Sequence, residues 1–182
     1  MLQGFMGKVM AGLLSMSALM FNSYVGNEPV FLPLQCRAGQ NYLLVRATLD
    51  NAFDNDFSDV FKCGKPINLW YKIEIKHENN TVYSSNFRHT VTYNPMNAAW
   101  ELFKSENSQK DIYTDYHKLI TEISALECSV PRDVRWKSVQ IRAEAWLPEI
   151  ELTKPNRKVD LMMLWKLKRP TTKTTFTLAP TS

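Results

Sequence analysis

Glycine is scarce in this chain, with six residues among 182, and none of them falls in a complete G-x-G-x-x-G or G-x-x-x-x-G-K-[ST] pattern. Loops that cradle phosphate groups need glycine because their backbone approaches the ligand closely. The G-x-S-x-G pattern, which places a nucleophilic serine on a sharp turn, is also missing. We therefore expect no nucleotide binding, no bound cofactor and no catalytic residues.

Cysteine is rarer still, and the three residues, Cys36, Cys63 and Cys128, cannot all pair within one chain. They form no C-x-x-C pair and no Cys/His spacing that is typical of a zinc site. A disulfide between Cys63 and Cys128 is one expectation if the chain is exported, because oxidising compartments preserve such bonds. Buried free thiols are the other expectation.

Histidine is equally scarce, and His77 and His89 fall on the two strands of one predicted hairpin. At about 3.3 Å per residue they are separated by roughly 26 Å along that hairpin, which is too far to share a metal ion. The third histidine, His117, falls beside the apolar stripe of a predicted helix. The histidines therefore predict no metal site.

An acidic run covers residues 50–59, and its carboxylates are Asp50, Asp54, Asp56 and Asp59. Its spacing starts like a helix–loop–helix calcium loop, but Asp59 replaces the required glycine and Lys65 replaces the final glutamate. Asp56 as the N-cap of a short helix explains the run more simply. A non-standard calcium site is the alternative.

The chain carries little excess charge of either sign, because its formal net charge is only +4 at pH 7. Nucleic-acid binders usually carry a much stronger basic footprint on one face or helix. We therefore do not expect a nucleic-acid partner.

The chain opens on an uncharged, mostly apolar run at residues 9–21, preceded by a single charged side chain, Lys8. The run has the size of a signal-peptide core and is shorter than a standard membrane span. Residues 1–26 are thus a cleaved signal peptide, a retained N-terminal anchor or an unusual cytosolic terminus. We further expect a linker at 27–40, a β-rich domain at 41–169 and a disordered Thr/Pro tail at 170–182.

Residues 67–91 hold the clearest pattern, two alternating runs around a short polar loop, which predicts a β-hairpin. A three-residue loop at 78–80 pairs Ile75 with Tyr83, so that the apolar faces stay together. It also pairs Ile67 with Val91 and places His77 opposite Thr81. This register is our prediction.

The remaining elements follow from periodicity and turn signals. Strands are predicted at 41–49, 98–104, 134–147 and 159–168, a short helix at 57–63 and a longer amphipathic helix between Ile112 and Leu126. We predict a mainly β fold, an antiparallel β-sandwich-like domain with one short and one longer α-helix.

The order of these pieces resembles a family of uncharacterised bacterial envelope proteins, often encoded beside a nitrogen-regulation sensor kinase. The resemblance covers residues 41–169 and rests on short motifs, among them the run from Cys63 to Ile67, the Leu147–Pro148 pair and the closing segment around Trp165. It implies export and a β-rich domain. It carries no activity and no site residues, because none is established for the family.

Several aromatic and basic side chains are candidates for partner binding, either on the hairpin face away from the isoleucines or near the C-terminus. They are Trp70, Lys72, Lys76, Lys166, Lys168 and Arg169. The alternative for the tryptophans is a second buried face or cover from a helix, and the alternative for the lysines is a solvated edge.

Together these features predict an exported or membrane-tethered, non-catalytic binding or structural protein of the bacterial cell envelope. Its place would be the periplasm or the outer face of the inner membrane, and its partner another envelope protein or the membrane surface. A carrier or sensor of a small apolar or sugar ligand, with a cavity near Tyr116, Ile120 and Trp165, is the first alternative. A hydrolase with an unrecognised site is the second.

Overall fold

A computed structural model describes residues 26–55, 57–153 and 156–178. The expected signal or anchor segment therefore lies almost wholly outside the described residues, and so does the expected cap, Asp56. Within the described residues, no helix has the length and apolar character needed to cross a membrane.

Twelve strands and three short helices make up the described chain. The strands are β1 (Val30–Phe31), β2 (Gln35–Ala38), β3 (Tyr42–Asp50), β4 (Ile67–His77), β5 (Asn80–Asn94), β6 (Ala99–Lys104), β7 (Gln109–Tyr113), β8 (Ala125–Pro131), β9 (Ser138–Trp146), β10 (Glu149–Thr153), β11 (Asn156–Asp160) and β12 (Thr171–Thr177). The helices are α1 (Phe57–Phe61), α2 (Tyr116–Ile123) and a 3-10 helix (Leu161–Trp165).

The strands form two main antiparallel sheets. The larger has six strands in the order β12-β9-β4-β5-β6-β7. In the smaller, β3 pairs with β8 along one edge and with β1 and β2 in succession along the other. Strands β10 and β11 make a separate hairpin. The prediction of a mainly β, antiparallel, sandwich-like domain with one short and one longer α-helix is confirmed.

The core lies between the two sheets because every second side chain of each central strand points inward. On β4 the inward residues from Ile67 to Ile75 are all fully buried, and so are Leu43, Val45 and Ala47 on β3. The two faces meet directly where the ring of Phe31 lies 6.4 Å from that of Tyr71. Burial of aliphatic side chains from both sheets is the main force that holds the sandwich closed.

The central hairpin adopts the predicted register over most of its length. Ile75 pairs with Tyr83 and Ile67 pairs with Val91. The predicted three-residue loop is wrong, however, and His77 pairs with Asn80 instead of Thr81 because the register shifts between Ile75 and Lys76. A two-residue turn with a β-bulge thus achieves the same apolar alignment.

The geometry of that turn explains why the hairpin chooses it. Glu78 and Asn79 both have positive φ angles, 49° and 68°, as a type I′ turn requires. The twist of this turn matches the twist of the two strands, so it is favoured over longer loops. The bulge on β5 absorbs the residue that the shorter turn leaves over.

The predicted linker and the predicted tail both contain strands. In the expected linker at 27–40, β1 and β2 pair with β3. In the expected disordered tail at 170–182, β12 pairs along its whole length with β9. Threonine is a strong strand former, and Thr172, Thr174 and Phe176 point inward and are half-buried. The composition suggested disorder, but the alternation within it specifies an edge strand.

The predicted bounds of the longer helix and of the last strand are too wide. Helix α2 covers only Tyr116–Ile123, because Ile112 lies on β7 and Leu126 on β8. The predicted strand at 159–168 is β11 followed by the 3-10 helix, so Trp165 is buried while Leu167 is exposed. Short apolar runs satisfy helical and strand periodicity alike, and tertiary contacts decide between them.

The turn geometry predicts the effect of glycine substitutions at two adjacent asparagines. Asn79→Gly should raise the free energy of unfolding by about 0.5–1 kcal/mol, because glycine adopts positive φ without strain. Asn80→Gly, one residue later on strand β5, should lower it by about 0.5–1 kcal/mol. Urea denaturation of both variants is the measurement. Equal shifts, or destabilisation by Asn79→Gly, would contradict the turn assignment.

Candidate functional site

The outer face of the six-stranded sheet carries a ladder of stacked aromatic and cationic side chains. Trp70 and Trp146 are directly paired across β4 and β9, and their rings stack with centroids 6.1 Å apart at an angle of 8°. The guanidinium of Arg88 lies 5.8 Å from the Trp70 ring, and that of Arg169 lies 5.5 Å from the Trp146 ring. We call this Arg–Trp–Trp–Arg arrangement the tryptophan ladder.

The two tryptophans are enclosed neither in a second core nor beneath a helix, contrary to the alternative considered from the sequence, although Trp146 also packs against the main core. Both are only half-buried, while the inward-facing residues of β4 are fully buried. Helix α2 lies on the other side of the sheet, since its last carbonyl, Ile123 O, accepts a hydrogen bond from the inward-facing Tyr71. The ladder therefore lies open on the surface.

Positive charge surrounds the ladder on β12, β9, β4 and the adjoining residues. Among the described residues, six cationic side chains and two carboxylates lie on this part of the face, which leaves an excess of four positive charges: Lys72, Lys76, Arg88, Arg142, Arg169 and Lys173 against Glu74 and Glu144. Each carboxylate is already shared by two cations, Glu74 by Lys72 and Lys76, and Glu144 by Arg142 and Arg169.

Two shallow grooves lie on the same face. One, of about 530 Å³, lies beside Trp146 and Arg169 and is bordered by the polar side chains of Ser84 and Asn86. The other, of about 400 Å³, lies farther along β4 and β9, between Lys76, Arg142 and Lys173. An extended segment laid across the strands at the ladder would meet Arg88 on one side of the aromatic stack and Arg169 on the other.

The six sequence-predicted candidates divide into two groups. Trp70, Lys72, Lys76 and Arg169 come together on the outer face. Lys166 and Lys168 lie at the end of the 3-10 helix, where Lys166 pairs with Glu28. Sequence reasoning missed Trp146 as the stacking partner of Trp70 and Arg88 as the cation over the Trp70 ring, although both alternate outward on their strands.

A second polar cluster lies buried between the sheets. His89 is fully buried, and its Nδ1 lies 2.8 Å from the carbonyl of Ile123 while its Nε2 lies 2.8 Å from Oε1 of Glu106. Tyr71 donates from its hydroxyl to the same carbonyl at 3.0 Å. The carbonyl only accepts, so Nδ1 carries a proton, and one further proton joins Nε2 to Glu106.

This His–Glu pair has the composition of a catalytic dyad but not its accessibility. The side chain of Glu106 is only 3% exposed and that of His89 is 0% exposed, so a substrate has no route to the pair in this structure.

Burial and the nearby Glu106 raise the pKa of the Cys128 thiol to about 12. This thiol therefore stays protonated and is a poor nucleophile.

The region proposed for a small-ligand cavity is filled by aromatic packing. Trp165 is fully buried and donates from Nε1 to the carbonyl of Ala52 at 2.9 Å. Tyr116 donates to the carbonyl of Phe53 at 2.8 Å, and the Phe53 ring lies 6.1 Å from that of Trp165. These contacts leave the polar tips of both side chains occupied by protein.

Metal and disulfide chemistry find little support in the described chain. No group of three or more histidine, cysteine or acidic residues is close enough to hold a metal ion among the residues that the structure describes. Cys36, Cys63 and Cys128 are all free, the last two buried. The expected alternative of buried free thiols is therefore the one seen for Cys63 and Cys128.

Comparison of the chain with protein-family models, with curated proteins and with solved structures found no match. The resemblance to bacterial envelope proteins therefore stays a prediction.

The buried pair predicts an asymmetric response to mutation. His89→Ala should lower the free energy of unfolding by about 3–5 kcal/mol, because it leaves the Glu106 carboxylate buried without a partner. Glu106→Gln should cost only about 1 kcal/mol, because the amide donates to Nε2 of a neutral imidazole. Adding Glu106→Gln to His89→Ala should recover stability. Thermal and guanidinium unfolding of the three variants test this, and a double variant less stable than His89→Ala would contradict it.

Thiol alkylation tests the burial of the cysteines. Because the pKa of Cys128 is about 12, iodoacetamide at pH 8 should label it far more slowly than the half-buried Cys36, and labelling should accelerate as the pH rises. In guanidinium all three thiols should react at similar rates. Peptide mass spectrometry measures each site, and fast labelling of native Cys128 would show that the face of β8 is open.

Proposed function

We propose that this chain is an exported or membrane-tethered, non-catalytic accessory protein of the bacterial cell envelope. It binds an acidic segment of another envelope protein across the outer face of its large sheet. The observation that carries the proposal is the tryptophan ladder, a pair of stacked tryptophans capped by two arginines on an open and positively charged surface.

The chemistry of the ladder favours recognition over stability. Tryptophan and arginine are the side chains most enriched at the energetic centres of protein interfaces, and a stacked pair on an open face keeps large apolar area in partial contact with water. Arg88 and Arg169 lie over the rings with their planar groups ordered before binding. A guanidinium held in this way can donate two parallel hydrogen bonds to a carboxylate.

The charge of the face selects the partner. An excess of four positive charges around the ladder attracts an acidic segment and repels a basic one, so it favours fast and selective association. The polar groove offers the hydroxyl of Ser84 and the amide of Asn86 to the backbone of such a segment. The inner face offers no comparable surface, because its side chains are buried between the two sheets.

Two features of the sequence favour the envelope as the location. The apolar run at residues 9–21 suits a signal peptide or anchor, and the order of motifs resembles a family of envelope proteins. A carrier or hydrolase function has weaker support, since Trp165 is buried against Ala52 and the His–Glu pair is enclosed.

Poly-glutamate is a suitable probe for the proposed interaction, with binding followed by the change in tryptophan fluorescence. The wild-type chain should bind poly-glutamate, with affinity that falls as salt rises. Arg88→Gln with Arg169→Gln should weaken binding about tenfold, because it removes the two stacked cations.

The chain itself offers a matched control for that double variant. Arg37 and Arg46 are both exposed on the outer face of the smaller sheet, so Arg37→Gln with Arg46→Gln removes the same charge from the opposite side. The control should bind nearly as tightly as wild type. An equal loss in both double variants would mean that net charge alone attracts the probe, and the ladder would not be the site.

A further inference from the structure

We propose that the corner formed by the end of the 3-10 helix contacts an anionic phospholipid surface and orients the domain on the membrane. The inference rests on the proposed function in one respect, since it takes residues 9–21 to be a retained anchor. Its own observations are the exposed side chains Met163, Leu167 and Lys168 and the position of Asn27 beside them.

The start of the described chain is fixed to this corner. Asn27 donates from its backbone to the carbonyl of Leu164 at 2.9 Å, and Glu28 pairs with Lys166. Only residues 22–25 separate Gly26 from the apolar run, and four extended residues reach at most about 14 Å. A membrane-inserted run would therefore hold the 3-10 helix close to the bilayer.

The corner displays the side chains that such a position requires. Met163 is 50% exposed and Leu167 is 65% exposed, while Leu164 and Trp165 between them are buried. Lys166 and Leu167 both have positive φ angles, 51° and 58°, a conformation that costs energy for residues other than glycine. The chain thus holds an apolar side chain outward at the expense of local strain.

Basic side chains complete the match to a lipid surface. Lys166, Lys168 and Arg169 follow one another in this turn, and lysine and arginine beside exposed apolar side chains favour anionic headgroups. Glu28 offsets part of this charge through Lys166. We therefore expect the two apolar side chains and Lys168 to supply most of the contact.

Photo-crosslinking in vesicles tests the orientation of the full chain. The chain carries benzoylphenylalanine at position 163 or 167 and is reconstituted with vesicles of phosphatidylglycerol and phosphatidylethanolamine. The control position is 82, because Val82 is also exposed but lies at the tip of the β4–β5 hairpin. The 3-10 helix lies near the other end of β4, next to Leu147. The stretch of β4 from Leu69 to Ile75 separates it from position 82 by roughly 20 Å at 3.3 Å per residue.

Positions 163 and 167 should give lipid adducts at least fivefold more often than position 82. Lys166→Gln with Lys168→Gln should reduce those adducts several-fold, whereas Lys72→Gln with Lys76→Gln on the outer face should not. Replacing phosphatidylglycerol by phosphatidylcholine should have the same effect as the first pair.

The possible failures are distinguishable. If the chain sediments with vesicles but positions 163 and 167 label lipid no more than position 82, the corner does not face the bilayer and the inference is wrong, while tethering stands. If the chain does not sediment with vesicles, retained tethering and the inference both fail. The binding of poly-glutamate to the tryptophan ladder is a separate measurement and is untouched by either result.

Discussion

One carbonyl group, that of Ile123, holds together three parts of the molecule. It ends helix α2 and accepts hydrogen bonds from Tyr71 on β4 and His89 on β5. Through His89 the same network reaches Glu106 in the turn between β6 and β7. Buried polar groups are costly unless they are fully paired, so this shared acceptor fixes where the helix docks and how the turn closes.

That constraint decides which side of the large sheet is available for function. The inner face is committed to the core and to the Ile123 network, in which the Tyr71 hydroxyl and both ring nitrogens of His89 have partners within the protein. Burial raises the pKa of Tyr71 well above its usual value, with the nearby Glu106 contributing, which keeps the hydroxyl a donor. The outer face is not covered by the second sheet, and it carries the tryptophan ladder and the positive charge around it.

The parts of the fold that could be predicted are those with long and regular patterns. Ten successive residues of β4, from Ile67 to Lys76, alternate between buried and half-buried side chains. Burial of the isoleucine face forces the pairing of Ile75 with Tyr83 whichever turn closes the hairpin. The turn itself was missed because its outcome depends on a bulge, which alternation does not encode. The predicted helix α2 is too long because Ile112 and Leu126 continue its helical spacing, although Ile112 lies on β7 and Leu126 on β8.

The site was predictable only in part, for a similar reason. The sequence candidates include Trp70 and Arg169, which are two of the four members of the ladder, and alternation places Trp70 on the face away from the isoleucines. The pairing of β4 with β9, which brings Trp146 against Trp70, joins residues far apart in the chain and leaves no local signal. The His89–Glu106 contact is equally non-local, and a glutamate in a polar turn gives no sign that it will be buried.

The two surfaces fit one arrangement of the domain. If the 3-10 helix corner faces the membrane, β4 and β5 point away from it, and the outer face stands beside the bilayer, where a neighbouring envelope protein can reach it. Arg169 lies where the corner meets the ladder, because it follows Lys168 and stacks on Trp146. Tethering and partner binding are thus compatible in the same molecule.

Photo-crosslinking in intact cells tests the central claim, that the outer face of the large sheet is the working surface, most directly. The full chain would carry benzoylphenylalanine at position 86, in the groove beside Trp146, or at Tyr42, which is 50% exposed on the opposite sheet. We expect a discrete protein adduct from position 86, with an acidic segment of the partner at the linked site, and we expect Arg88→Gln with Arg169→Gln to abolish it. A discrete adduct from position 42 and none from position 86 would contradict it.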